Sequence, residues 1–169
     1  LAQWRTENVN ALMQLCWQTV HGCGRRFGVA PAGDPAQCAA VQYSDAALWL
    51  RQPGYADYVM PQLYWGLQYT KSGDTSHSLT RLAAQWAALP RSSEVALYAG
   101  LGAYRIGAGD GSDTPGEWQT GHALADQWHA LQAACIPGGG LYRYGSLFDG
   151  QALADAERQA LEEEWGKNK

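Results

Sequence analysis

The sequence predicts an α/β fold with a parallel sheet, and three observations carry the prediction. Short apolar runs suited to buried strands alternate with segments whose apolar residues repeat every 3.6 positions. The resulting order is α, β, α, β, α, β, α, β, α, which right-handed crossovers convert into parallel strands. The runs also end in polar or aromatic residues, most clearly Asp57-Tyr58-Val59-Met60-Pro61-Gln62-Leu63-Tyr64-Trp65. Parallel strands in α/β folds are buried along their length and carry function at their C-terminal ends, so an amide and two large aromatics placed there point to ligand contact.

Taken in order, Val9, Leu12, Met13, Cys16 and Val20 form the apolar stripe of a first helix from Thr6 to about His21, stopped by Gly22 and Gly24. A short strand from Arg26 to Pro31 follows, then a loop of small residues, Ala32 to Ala40. Ser44 or Asp45 can cap a second helix through Leu48, Trp49 and Leu50, which Pro53-Gly54 ends before the strand from Asp57 to Tyr64. After the polar loop Lys71 to Ser76, the residues Leu79, Leu82, Ala83, Trp86 and Leu89 define a third helix closed by Pro90.

Val95 to Leu101 is the clearest buried strand, running on to Tyr104. A Gly-rich loop from Gly107 to Gly116 ends in Thr114-Pro115-Gly116-Glu117, a capping-box spacing that predicts a helix bearing Leu124, Trp128, Leu131 and Cys135 on one face. Leu141-Tyr142-Arg143-Tyr144 reads as the fourth strand, and Asp149 can cap a terminal helix through about Trp165, with Lys167 to Lys169 fraying.

Composition bounds the function classes. The 169 residues are 46% hydrophobic and 17% charged, a globular composition fitting one domain over residues 1–169. A net charge of −4 with scattered Lys and Arg makes no phosphate-binding face, so nucleic acid is not expected as a partner. No segment approaches the roughly 20 apolar residues of a membrane helix. Leu1 leads straight into a helical pattern, and the piece is expected to come from something longer. Cys16, Cys23, Cys38 and Cys135 form no C-x-x-C pair and have no His pair at metal spacing, so no metal or cofactor is expected. Cys16 and Cys135 read as small core residues.

Eight Trp and nine Tyr fit either helix–sheet packing or a cleft in which a pyranose face stacks on aromatic rings. Gln62, Tyr64 and Trp65 end one strand, Tyr104 and Tyr144 lie just past the third and fourth, and Asp34 is in the loop after the first. Strand alternation points Gln62 and Tyr64 to one side and Trp65 to the other. These residues are candidates for binding sugar. Glycoside hydrolysis uses two carboxylates flanking the scissile bond, and no convincing pair is visible. Asp57 starts its strand, Asp45, Glu117 and Asp149 read as helix-terminal residues, and Asp34, Asp110 and Asp113 lie on loops with nothing to fix their geometry. His21, His77, His122 and His129 lie on or beside helices and read as solvated. A closed (β/α)8 barrel needs eight strands in about 250 residues; the four strands here make either half a barrel or a small open sheet.

The Asp57 to Trp65 strand resembles the "D-Y-I-x-P-Q-x-Y-W" signature of the bacterial glycosyl-hydrolase-like family 10, distinct from the true family 10 xylanases. Trp4-Arg5-Thr6-Glu7-Asn8-Val9-Asn10 is similar to its "W-R-R-x-N-V-N" helix start, and Phe27-Gly28-Val29-Ala30-Pro31-Ala32-Gly33 to its "F-G-I-S-P-x-G". Tyr43-Ser44-Asp45 with Trp49 resembles its "D-x-x-x-W" helix, Leu97 to Tyr104 its "L-Y-x-G-x-x-x-Y" strand, and Gly140 to Leu147 its last strand.

The resemblance implies a TIM-type (β/α)8 barrel of which this chain holds the C-terminal half, strands five to eight, and an extracellular or cell-envelope setting. It also implies that the acidic "F-D-D-Y" motif ending the family's fourth strand lies outside this chain. On that basis the chain alone is expected to hydrolyse nothing and to supply a substrate-binding wall of Gln62, Tyr64, Trp65, Tyr104 and Tyr144. Its expected partners are carbohydrate and either the missing N-terminal half of the barrel or a second copy of the chain. The alternative is a non-catalytic α/β carbohydrate-binding or structural module, such as a dimer of half-barrels.

Overall fold

In the computed structural model, which describes residues 1–114 and 116–166, four strand paths lie side by side and parallel. The first is β1 (Gly28–Val29). The second is β2 (Tyr58–Val59) continued by β3 (Gln62–Leu63). The third is β4 (Ala96–Leu97) with β5 (Ala99–Leu101), and the fourth is β6 (Gly139–Leu141). Pairing runs β1-β2-β4 at one level and β3-β5-β6 at the next. Pro61 has no N–H to give and breaks the second path between the levels. Hydrogen bonds nevertheless bridge the break, from Gln62 N to Pro31 O at 3.0 Å and from Gly100 N to the Pro61 carbonyl at 2.8 Å. The paths are thus parallel, as the alternating pattern predicts, and they neighbour one another in sequence order.

Helices pack on one side of these paths. The helices are α1 (Ala2–Gly22), α2 (Pro35–Ala40), α3 (Ala46–Arg51), α4 (Leu79–Ala88), α5 (Ala123–Ala133), α6 (Tyr144–Leu147) and α7 (Ala152–Gly166). Contacts of α3 with β2, α4 with β3 and α5 with β5 bury Val59, Leu63, Leu97, Ala99 and Leu101. The alternate residues Tyr58, Met60, Gln62, Tyr64 and Tyr98 are only half buried. One sheet face is therefore a core and the other is open, a division that period-two alternation dictates.

Several expectations are corrected. The loop of small residues from Ala32 to Ala40 contains α2, because Asp34 accepts a hydrogen bond from Ala36 N at 2.8 Å and Pro35 opens the helix. The fourth strand ends at Leu141, and Tyr144 begins α6 instead. Thr114 to Glu117 starts no long helix: Glu117–Gln119 is a 3-10 turn, α5 begins at Ala123, and Pro115 lies outside the described residues, as do Lys167 to Lys169. Cys135 is exposed past the end of α5 with φ of 58°, a left-handed conformation that cannot continue the helix. Cys16 is half buried; the core cysteine is Cys38, 1% exposed, whose thiol burial and the nearby Asp34 push up to about 11.

The first helix buries only Met13 and leaves Trp4, Leu12 and Leu15 exposed, so Leu12 faces away from the core that its stripe predicts. Polar contacts fasten α1 instead. Trp49 Nε1 donates to Asn10 Oδ1 at 2.7 Å, and Arg5 donates to the Tyr43 hydroxyl at 2.6 Å. At the far end Trp17 Nε1 and His21 Nε2 meet Asp57 Oδ1 at 3.3 and 2.9 Å, and Phe27 N donates to Asp57 Oδ2 at 2.5 Å.

Burial alone would raise the Asp57 carboxyl, but the hydrogen bonds from Phe27 N, His21 and Trp17 together hold it below its ordinary value of 3.8. A depressed carboxyl contributes stability above its unfolded value and loses it as pH falls through the folded one. Asp57→Asn should therefore cost about 1.5–3 kcal/mol at neutral pH, the scale of hydrogen bonds to a charged group. Denaturant melts of both proteins should converge as pH falls below 3.8.

Candidate functional site

The chain beyond each strand path turns at the same end of the molecule, and three tyrosines gather there. Tyr64 follows β3, Tyr104 lies in the 3-10 turn Ala103–Arg105 after β5, and Tyr142 follows β6. Parallel register aligns these strand ends, since Leu63 pairs with Leu101 and Leu101 with Leu141. Tyr104 N then donates to the Tyr142 carbonyl at 3.1 Å. The Tyr64 and Tyr142 rings stack at 5.8 Å and 20°, and Tyr104 stands edge-on to them at 5.6 and 6.0 Å. Burial, then the neighbouring Tyr104 and Tyr142, raise the Tyr64 phenol above its ordinary value of 10.0. Its hydroxyl thus keeps its proton at neutral pH and can donate as well as accept. The Arg105 guanidinium lies over the Tyr104 ring at 4.7 Å.

The structure places the other sequence-derived candidates differently. Gln62 Nε2 donates to the Ala30 carbonyl at 2.8 Å, tying the second path to the first. Trp65 is half buried, packed on the core and against the rings of His77 at 5.1 Å and Tyr69 at 6.4 Å. Gly33 makes this possible, because a Cβ there would stand 2.4 Å from the Gln62 carbonyl and 2.7 Å from the Trp65 ring. Tyr144 is 74% exposed and stacks on Phe148 at 4.4 Å. With Leu141, Leu147, Trp128 and Trp165 it lines an apolar groove of about 330 Å³ beside the outer edge of β6.

The residue beside Tyr104 at the strand ends is therefore Tyr142, which is 54% exposed. Sequence reasoning missed it by continuing the fourth strand to Tyr144. The Leu101–Leu141 register explains the difference, and it is a tertiary property absent from local propensity.

The loop carboxylates have identifiable tasks. Asp110 Oδ2 accepts from Gly66 N and Glu117 Oε1 from Leu67 N, each at 2.7 Å. Gly66 has no room for a side chain, since a Cβ would meet Glu117 Oε2 at 2.3 Å. Asp113 accepts from Ser72 N, and its own N–H reaches the Thr70 carbonyl at 2.8 Å. The Gly-rich loop is thus latched onto the backbone just after Trp65, and Glu117 serves this latch rather than capping a helix. Asp45 does cap α3, accepting from Leu48 N at 3.0 Å.

His77 also differs from the expectation of a solvated residue. It precedes α4, partly buried against Trp65, with Asp34 and Gln37 nearby. His122 and His129 are exposed and pair with Asp126 and Glu164. No helix among the described residues is long and apolar enough to cross a membrane.

Comparison with known proteins gives a consistent result. A family model described as "Glycosyl hydrolase-like 10" matches residues 1–119, which include the first three strand paths, Gln62, Tyr64, Trp65 and Tyr104. The curated protein Glycosyl hydrolase DigH of Escherichia coli (strain K12) is 31% identical over 125 residues, an alignment covering 63% of this chain and 26% of that protein. Proteins of the same name from Escherichia coli O157:H7 and Shigella flexneri align with the same identity and coverage. The chain spans about a quarter of the length of these relatives.

Proposed function

The chain belongs to the glycosyl hydrolase-like 10 family, and from that premise we propose that it forms the C-terminal, substrate-binding part of a glycoside hydrolase acting on oligo- or polysaccharide. The observation that carries this reading is the cluster of Tyr64, Tyr104 and Tyr142 at the ends of three neighbouring parallel strands. Ligands of parallel α/β folds bind at that end, and flat, amphipathic rings with protonated hydroxyls match a sugar, which offers an apolar face and a rim of hydroxyls.

The same reading extends to the architecture. Four parallel paths in sequence order, helices on one side and a half-open inner face with Tyr58, Met60 and Tyr98 fit one half of a (β/α)8 barrel. The remaining strands would cover that face, pair the free edges of β1 and β6, and occupy the apolar groove beside Tyr144. In this reading the catalytic acid belongs to that other half, and Asp110, Asp113 and Glu117 serve the loop latch through backbone N–H groups. An extracellular or cell-envelope location is part of the proposal.

Calorimetry or NMR titration of the chain with cellotetraose, chitotetraose, xylotetraose and maltotetraose tests it. At least one sugar should bind, and Tyr64→Ala or Tyr142→Ala should weaken that binding by about tenfold, the worth of one aromatic contact. Absence of binding across the panel, binding indifferent to both substitutions, or turnover by this chain alone would each count against the proposal.

A further inference from the structure

Beside Trp65 and apart from the three tyrosines, Asp34, Gln37 and His77 converge. His77 Nε2 stands 4.0 Å from Asp34 Oδ2 and 3.5 Å from Gln37 Nε2. Both separations are too long for good hydrogen bonds, and the first is wide enough for an oxygen to bridge. The side chains are held in place. Asp34 Oδ1 is fixed by Ala36 N at 2.8 Å, and the imidazole packs on Trp65.

The hydrogen bonds also assign the tautomer. Ser76 Oγ lies 3.0 Å from Asp74 Oδ2, and an ionised carboxylate only accepts, so the hydroxyl proton goes to Asp74. Ser76 Oγ can then only accept from His77 Nδ1, 3.0 Å away on its other side. In its neutral form the imidazole therefore carries its proton on Nδ1 and leaves Nε2 as an acceptor, with the Gln37 amide 3.5 Å away. Two acceptors, His77 Nε2 and Asp34 Oδ2, thus stand 4.0 Å apart with the Gln37 amide as donor beside them.

We propose that Asp34, Gln37 and His77 form a subsite for a vicinal diol of a neutral sugar, adjoining Trp65. Each of two adjacent hydroxyls donates once, to the imidazole and to the carboxylate, and Gln37 donates to one of their oxygens. An acidic sugar presenting its carboxylate here is disfavoured by Asp34. The inference rests on the carbohydrate reading above and adds the polar group that sets which part of the sugar is recognised.

The test is NMR of the ¹⁵N-labelled chain with the same tetrasaccharides, observing the His77 ring nitrogens and the Gln37 side-chain amide. The free protein should show the Nδ1–H tautomer, and sugar should shift both signals. Asp34→Asn retains a good N-cap for α2 and His77→Ala removes the ring. Each should weaken binding by about 5- to 10-fold, the scale of one or two hydrogen bonds, with the thermal melt reporting that the fold is kept. Binding that still depends on Tyr64 but changes by less than about twofold in both variants, without shifts at His77 and Gln37, would overturn the subsite and leave the tyrosine cluster standing. Absence of binding by every sugar would remove the carbohydrate reading and this inference with it.

Discussion

Glu157→Ala is expected to destabilise the protein by about 3–4 kcal/mol, because it strips the α5 N-terminus of two partners at roughly 1–3 kcal/mol for each buried group left unsatisfied. The first N–H groups of a helix have no partner inside it, and His122, which precedes α5, makes no side-chain cap. Glu157 of α7 supplies the cap from a distance, with Oε1 accepting from Ala123 N and Oε2 from Leu124 N, both at 2.9 Å. The residue is 0% exposed, so water cannot substitute for the lost oxygens. Glu157→Gln keeps one acceptor oxygen and should lose about half as much.

The pH dependence has a definite sign. Burial raises the Glu157 carboxyl above its ordinary 4.5, and the hydrogen bonds from Leu124 and Ala123 only partly offset this. A raised pKa gives a contribution fully present below the unfolded value and lost as pH rises through the folded one. The difference between wild type and Glu157→Ala in urea denaturation should therefore be larger at pH 4 than at pH 7. A difference that grew with pH would contradict this account.

Trp86→Ala is expected to cost about 3–5 kcal/mol, the usual loss for a large buried aromatic. Trp86 is wholly buried in α4, and its Nε1 donates to the Gly33 carbonyl at 2.6 Å. Gly33 is the position on which Gln62 and Trp65 close. Trp86→Phe should fill most of the volume yet leave that carbonyl unpaired, at about 1–3 kcal/mol. Chemical denaturation measures the stability, and the Trp65 indole N–H resonance in an NMR spectrum reports the site. That resonance should move in both variants, whereas in Glu157→Ala it should move less.

These two side chains illustrate what local sequence conveys. Trp86 was legible as a member of the Leu79, Leu82, Ala83, Trp86 stripe, and all four are buried in α4. Its indole partner was not legible, because Gly33 lies 53 residues away in sequence. Nothing near Glu157 marks it as a cap, since its partners are 33 and 34 residues distant. In the candidate site, Tyr64 and Tyr104 were readable as strand-end aromatics, while Tyr142 needed the register of β6 against β5. The cluster at His77 needed the fold of the loops after two different strands.

The sequence by itself determined the alternation of helix and strand, the buried faces of α4 and of the strands, a cap for α3 at Ser44 or Asp45, and the signature Asp57 to Trp65. These follow from periodicity and from side-chain reach over a few residues, which act before any long-range contact forms. Only the tertiary structure decided which tyrosines meet, which carboxylates are spent on backbone N–H groups, and which histidine stands beside Trp65. Those outcomes depend on strand register and loop closure, where a shift of one residue turns a side chain to the opposite face.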